Sequence, residues 1–217
     1  MTQRSRQRQT GLTLVELMVS LMLGLFVTTA AVQLFAGSKR SYSINESMAR
    51  VQESGRFAMS FLLYDARMAD YSVDPGQIRI PNPSAVTGGN DSGLNQSDTI
   101  SMVYDEIEGG VTVQRTYSYS ILAGKSGRPS LFRSVDGANA VEVAEGVENL
   151  QILYGEDTTD DYIPDHYVDW TSVVDRTRVV AIRVTVTVQT LTDNVASAGG
   201  KLTRNFSSAV VLRNRLP

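Results

Sequence analysis

The sequence has no cysteine and one histidine, His166. The first absence excludes disulfides, thiolate metal sites and cysteine nucleophiles. It does not fix the compartment, because a domain with an adequate core needs no disulfides outside the cytoplasm. A lone histidine near Asp165 and Asp169, with no nucleophile elbow, makes no catalytic triad. It reads as a surface or loop residue, and no enzyme is expected. No proline occurs before Pro75, and no formal charge occurs among the 20 residues from Leu17 to Ala36. Basic excess is missing too. Of 20 basic and 23 acidic residues, three arginines (Arg4, Arg6, Arg8) and no acid lie in the first 11 positions. Downstream, 17 basic face 23 acidic residues, a net of −6, which gives no large basic face for duplex DNA.

What is present suits one ordinary domain with a helical extension: 217 residues, 42% apolar and 20% charged, a globular composition. At about 1.5 Å per residue, the uncharged run spans roughly 30 Å as a helix, the thickness of a bilayer core. The arginines ahead of it favour a cytoplasmic N-terminus and a C-terminal part outside. A secretory signal peptide has a shorter apolar core, about 7–15 residues, and ends at a small-residue cleavage site. A plain membrane anchor fits the length. Neither accounts for Glu16, a carboxylate close to the start of the apolar helix. Such a group is costly at bilayer depth, by about 2.5 kcal/mol or more at a helix centre, and calls for a partner or a function. A cut between Gly11 and Leu12 would create an α-amino group one helical turn from Glu16, so a cation and an anion would pair within a chain or between neighbours.

The stretch Gln9-Thr10-Gly11-Leu12-Thr13-Leu14-Val15-Glu16-Leu17 resembles the class III signal of type IV pilins and type II secretion pseudopilins. That pattern is a basic leader ending in Gly, an apolar residue, Glu at the fifth mature position and an apolar helix. The resemblance implies cleavage by a prepilin peptidase after Gly11, N-methylation of Leu12 and an assembly role for the Glu16 carboxylate. The usual first mature residue is Phe, and here it is Leu, also large and apolar.

The helix is expected to run from about Leu12 to Ala69. Ile44, Met48, Val51, Gly55, Ala58, Leu62, Asp65 and Ala69 recur at steps of three and four, the mark of one helical face. Phe57, Phe61, Tyr64 and Met68 make a second apolar row. Asp65 interrupts the stripe, so a coiled-coil seam fits less well than packing on a globular core. The runs Ala49-Arg50-Val51-Gln52-Glu53-Ser54-Gly55-Arg56-Phe57-Ala58 and Asp65-Ala66-Arg67-Met68-Ala69-Asp70-Tyr71 are similar to the PilW family of minor pilins. So are Gly146-Val147-Glu148-Asn149-Leu150-Gln151-Ile152-Leu153-Tyr154-Gly155 and the ending Ser207 to Pro217. Residues 72 to 145 are the least characteristic.

After Ala69 loop signals appear at Pro75-Gly76, Pro81-Asn82-Pro83 and Gly88-Gly89-Asn90-Asp91. Strands are expected at 99–104, 111–122, 130–135, 140–144 and 147–154. The alternation of Val180, Ile182, Val184, Val186 and Val188 with polar residues predicts a strand with one buried face, paired with 201–212 across the 193–200 loop. The expected architecture is α+β and pilin-like: a long N-terminal helix, transmembrane in its first half, packed on an antiparallel sheet domain. Its parts are a leader (1–11), a transmembrane or filament-core helix (12–36), a continuation packed on the domain (37–70) and a periplasmic β-rich domain (71–217).

Other motifs carry less. Asp157, Thr159, Asp161, Ile163 and Asp165 occupy positions one, three, five, seven and nine of a calcium-loop spacing. Position six is Tyr162 instead of Gly and position twelve is Val168 instead of Glu, so a solvated acidic turn is expected and no cofactor. Gly124-Lys125-Ser126 lacks the first glycine of a phosphate loop, since position 119 is Tyr, and reads as a turn. Trp170, Tyr162 and Tyr167 suit an interface patch or packing equally.

The function implied is a minor pilin that primes and assembles type IV pili, in a tip complex serving twitching motility and adhesion. Its implied partners are the prepilin peptidase, other minor pilins, the major pilin and the inner-membrane assembly platform. It would sit in the inner membrane as a single-pass protein, then in the pilus. A type II secretion pseudopilin shares signal and fold. A membrane-tethered adhesin, calcium sensor or DNA-uptake receptor is the rival of another class.

Overall fold

The computed structural model describes residues 11–73, 82–191 and 200–216. The arginine-bearing part of the leader, the Pro75-Gly76 signal, Pro81 and most of the 193–200 loop lie outside the described residues. The chain falls into two compact units, Met1–Asn45 and Glu46–Pro217.

Helix α1 spans Leu14–Met68, 55 residues, inside the range read from the sequence. Its start is set by Thr13. The Thr13 carbonyl accepts from the Leu17 N–H at 3.2 Å, and its hydroxyl accepts from the Glu16 N–H at 3.2 Å, the geometry of an N-cap. The first unit is helical from Leu14 onward, and its large apolar side chains are uncovered: Phe26 and Leu34 are each 77% exposed. It is the one described helix long and apolar enough to cross a membrane.

In the second unit, the C-terminal part of α1 buries Val51, Gly55, Ala58, Met59, Leu62, Asp65 and Ala66. Five of these, Val51, Gly55, Ala58, Leu62 and Asp65, belong to the stripe found by spacing; Met59 and Ala66 extend it, and its first members, Ile44 and Met48, are half-buried. Each large apolar side chain so buried stabilises the fold by about 1.5–3 kcal/mol. Two antiparallel sheets share its core. Strands β1 (Val86–Gly89), β2 (Thr99–Glu108), β3 (Val111–Ala123), β4 (Pro129–Val135) and β5 (Val141–Glu145) form one sheet in that order. Strands β6 (Val147–Glu156), β7 (His166–Val168), β8 (Val179–Gln189) and β9 (Thr203–Val211) form the other, in the order β7-β6-β8-β9. The alternating strand read from 180–188 is β8, and Val184, Val186 and Val188 on its inner face are fully buried. One core joins these valines to Leu62 and Ala66 of α1 and to Tyr119, Ile121 and Leu131 of the first sheet.

The sheets are tied together just before β2. The Asp98 N–H donates to Leu150 O at 2.8 Å, and its carboxylate accepts from the Ile152 N–H at 2.7 Å and the Asp91 N–H at 3.0 Å. Burial pushes the Asp98 carboxyl up, and these donors oppose the rise.

The expected α+β, pilin-like architecture is found; among the described residues the antiparallel strands form two sheets, and two strands are added to those expected. The loop signal at Gly88-Gly89 falls inside β1, where pairing with Thr99 and Ile100 overrides the weak strand preference of glycine. Gly88 is also required by packing, because a Cβ there would overlap the Tyr154 hydroxyl. His166, expected at the surface or in a loop, is exposed and lies on β7, three residues paired with the end of β6. A strand that short leaves no periodic trace. Gly124-Lys125-Ser126 is the turn between β3 and β4, closed by the Gly124 N–H on Arg128 O at 2.7 Å.

Candidate functional site: the helix start and the interlock behind it

In the first unit the site is the segment 11–16 and the helix it opens. Leu12 and Leu14 are 71% and 76% exposed, and Glu16 lies in the first turn of α1. A carboxylate there faces the positive end of the helix dipole. Thr13-Leu14-Val15-Glu16 is a capping-box sequence, which sequence reasoning missed although the pattern was visible. Deeper in the apolar run, the hydroxyls of Ser20, Thr28 and Thr29 donate to the carbonyls of Glu16, Gly24 and Leu25 at 2.7–2.8 Å. Each hydroxyl is thereby satisfied within the helix, which an apolar surrounding demands.

In the second unit, Asp65 is not a flaw in the stripe but the centre of a buried polar interlock. It is 0% exposed. Its Oδ1 accepts from the Tyr104 hydroxyl at 3.0 Å and its Oδ2 from the Tyr119 hydroxyl at 2.6 Å. Arg133 closes a two-pronged pair, Nε to Oδ2 at 2.8 Å and Nη2 to Oδ1 at 3.1 Å. The guanidinium lies 4.0 Å over the Tyr117 ring, which stacks on Tyr104 at 4.7 Å. Burial, with the Asp65 charge beside them, pushes both tyrosine hydroxyls well above the ordinary value. Thus α1 is fastened to β2, β3 and β4 by one carboxylate. Sequence spacing marked the position but not the partners, which lie 39 to 68 residues away.

The C-terminal end of α1 is held by the end of the chain. The Asn214 side chain donates to the carbonyls of Arg67, Met68 and Ala69 at 3.0–3.2 Å. These are carbonyls a helix end leaves without intrahelical partners. Arg215, 4% exposed, lies 3.4 Å from Asp70 and donates to the carbonyls of Arg176, Val179 and Asn82.

On the outer side of α1, the second apolar row is solvent-facing: Phe57, Phe61 and Tyr64 are 50%, 42% and 59% exposed. Two surface grooves flank it. One of about 440 Å³ is lined by Gln52, Glu53, Arg56 and Phe57, and one of about 370 Å³ by Phe61, Val135, Val141 and Val143.

The calcium-spaced residues form a closed loop. Asp157 accepts from the N–H groups of Thr159, Asp160 and Tyr162 at 2.8–3.0 Å. Asp165 accepts from the Thr158 N–H and hydroxyl at 2.7 Å, and Asp161 from the Ile163 N–H at 2.9 Å. The Thr159 hydroxyl points at Asp165, and Ile163 is exposed. Among the described residues no three His, Asp or Glu side chains are grouped to hold a metal ion. His166 lies 3.4 Å from the buried Glu156, which also accepts from the Asp175 N–H at 2.6 Å. Of the three aromatics in this region, Trp170 packs on Tyr154 at 4.9 Å, Tyr167 lies under Arg183, and Tyr162 is exposed.

Residues 118–211 match the family model of type IV pilus-assembly protein W, and residues 6–32 match that of the prokaryotic N-terminal methylation motif. The chain has a pilin-like α+β fold, and part of its β-rich region is similar to the PilW family. The methylation-motif match contains Gly11, Leu12, Thr13 and Glu16, and ties the chain to prepilin processing and membrane anchoring. The PilW match runs from β3 to the last residue of β9. It holds Tyr119 and Arg133 of the interlock but neither Asp65 nor Asn214. No curated protein and no solved structure matches the chain.

Proposed function

We propose that this pilin-like protein is a minor pilin, a structural subunit that helps prime and assemble type IV pili in a complex with other minor pilins at the pilus tip. The observation that carries the reading is Glu16 in the first turn of α1, ahead of the uncharged run Leu17–Ala36, directly behind Gly11-Leu12 and within the methylation-motif match. A prepilin peptidase cuts between Gly11 and Leu12, and Leu12 becomes the methylated N-terminus. The mature chain stays in the inner membrane by the first part of α1, with the β-rich domain in the periplasm, and then passes into the pilus. There Glu16 meets the charged N-terminus of a neighbouring subunit, and the pair offsets the cost of a charge among apolar helices. The exposed row Phe57, Phe61 and Tyr64 is the face offered to neighbouring pilins, the major pilin included, where buried aromatics contribute most of the binding energy. The protein acts by packing, without a catalytic site or cofactor.

The test is the mass and N-terminus of the full chain expressed with and without a prepilin peptidase. The expected product begins at Leu12 and carries one methyl group. A chain left uncut, or cut after the apolar run, would overturn the reading. Glu16→Ala is expected to leave cleavage intact and to reduce recovery in sheared pili. Normal recovery would remove the assembly role of Glu16. Co-purification with secretion components instead of pilins would move the protein to the secretion machine.

A further inference from the structure

Sheet edges are hazards that proteins usually blunt with short strands, bulges, proline or lysine. Among the described residues the two sheets present four edges. β1 has four residues and ends in Gly88-Gly89, and β7 has three. β5 has five, and its register against β4 slips at Leu131/Phe132. β9 differs: its nine residues pair with β8 in one unbroken register, with no proline, lysine or bulge.

The bonds flanking β9 show which of its backbone groups look outward. The Leu212 N–H donates to Val180 O, and the Thr190 N–H to Leu202 O, both at 2.8 Å. Even-numbered residues therefore face β8, and Thr203, Asn205, Ser207, Ala209 and Val211 turn their N–H and C=O groups away from it. All five are exposed, and among the described residues these outward backbone groups have no partner. The edge is lined by charge of one sign. Lys201, Arg204 and Arg213 around β9 are all exposed, and neither β8 nor residues 200–217 contain an acid. The only charge within β9, Arg204, lies 5.7 Å over its own Phe206 ring.

We propose that β9 is a docking edge for an extended, acidic segment of another protein, which adds to the second sheet as an antiparallel strand. The backbone row supplies affinity, and alternate side chains supply selectivity. A fitting strand presents small polar residues beside Asn205, Ser207 and Ala209, apolar ones beside Phe206 and Val210, and carboxylates toward the arginines. Charge decides against a second copy of this chain, because β9 paired with β9 would bring two cationic rims together. The proposal rests on β9 alone and is independent of the N-terminal processing.

The probe is a fluorescein-labelled peptide of β9's length, alternating valine and threonine with a glutamate at each end, titrated by anisotropy onto the full chain in detergent. Wild-type protein is expected to bind it, more weakly as salt rises. Two peptides N-methylated on complementary sets of alternate amides separate strand addition from charge attraction. One set is expected to weaken binding at least about tenfold relative to the other. Equal binding of the two, whether retained or lost, would overturn the proposal. Ser207→Pro removes one outward donor without touching a backbone bond to β8 and is expected to weaken binding similarly, while Ser207→Ala, which loses the same side-chain bond to Thr185 at 3.1 Å, binds as wild type. No effect of Ser207→Pro on a chain with unchanged circular dichroism would also overturn it. So would displacement of the peptide by oligothymidylate, or self-association through β9 that Ser207→Pro abolishes.

Discussion

Replacing Asp65 by Asn changes the shape of the side chain little and removes one acceptor oxygen and the charge. The carboxylate takes four hydrogen bonds, two from tyrosine hydroxyls and two from Arg133. An amide keeps one carbonyl oxygen and turns an NH₂ group toward donors on the other side, so at least one buried donor is left without an acceptor. Tyr104 and Tyr119 are 2% and 1% exposed and cannot turn to water. An orphaned buried donor costs about 1–3 kcal/mol, and removing one member of a buried ion pair costs about 3–5 kcal/mol. The Arg133 side chain is 24% exposed and recovers part of its hydration, which places the expected loss near the lower figure, about 3 kcal/mol. The assay is urea unfolding of the full chain in detergent, followed by tyrosine fluorescence. Arg133→Met is expected to cost less than Asp65→Asn, because Asp65 keeps both tyrosine donors. The double variant Asp65→Leu with Arg133→Met is expected to be more stable than the sum of its parts by about 1–3 kcal/mol, since the coupled groups leave together. A loss under about 1 kcal/mol for Asp65→Asn would refute the interlock.

Three further outcomes are expected of the same domain. Gly55→Ala drives a Cβ into the Phe206 ring, and a loss of about 1–3 kcal/mol is expected in the same assay, relieved when Phe206→Ala is added. Asn214→Ala removes a donor from three carbonyls at the end of α1, of which Met68 O keeps the Tyr71 N–H, and faster hydrogen exchange at the Ala69 amide, which bonds to Asp65 O, is expected with a loss of about 1 kcal/mol. The acidic loop should be pH-dependent. The Thr158 hydroxyl and amide hold Asp165 below its ordinary value of 3.8; desolvation opposes the same shift at Asp157, and the loop's N–H groups outweigh it. Carboxyls depressed by folding stabilise above the unfolded value and lose that contribution as pH falls through the folded one. Amides of Thr159 and Tyr162 should stay protected at pH near 5 and lose protection beyond the intrinsic rate change below pH about 3; protection unchanged at low pH would refute the loop's dependence on them.

The periodic features of this chain were legible because periodicity is local. The stripe from Val51 to Ala69 and the alternation of β8 each report one buried face, and both faces are buried as read. The helix boundary was close because the expected cleavage point precedes its start by two residues and the chain's first proline lies beyond its end. The missing parts depend on distant partners. β1 exists because β2 pairs with it, and β7 because β6 turns back to it; neither segment has a strand pattern of its own. Asp65 looked like a defect because a carboxylate in an apolar stripe has no visible partner until β2, β3 and β4 fold over it. The role of Asn214, 145 to 147 residues from the carbonyls it caps, leaves no sequence signal at all beyond its similarity to the family's ending.

The first turn of α1 gives Glu16 a second physical reason to be acidic, and the two reasons separate cleanly. In a capping box the third helical residue serves as Glu or Gln, because the hydrogen-bonding head group is what matters. The helix dipole favours the charge, by about 0.3–1 kcal/mol. Both effects act within one chain and set where α1 begins. Neither balances a carboxylate against an apolar surrounding, which takes a cation, and from Leu17 to Ala36 the helix offers none. Glu16→Gln therefore divides the roles: it retains the helix start with Thr13 and removes only what a neighbouring N-terminus would bind. If local capping were the whole reason for Glu16, the amide would assemble as well as the acid. If intersubunit pairing is the reason, the amide fails as the alanine does, with helix content unchanged.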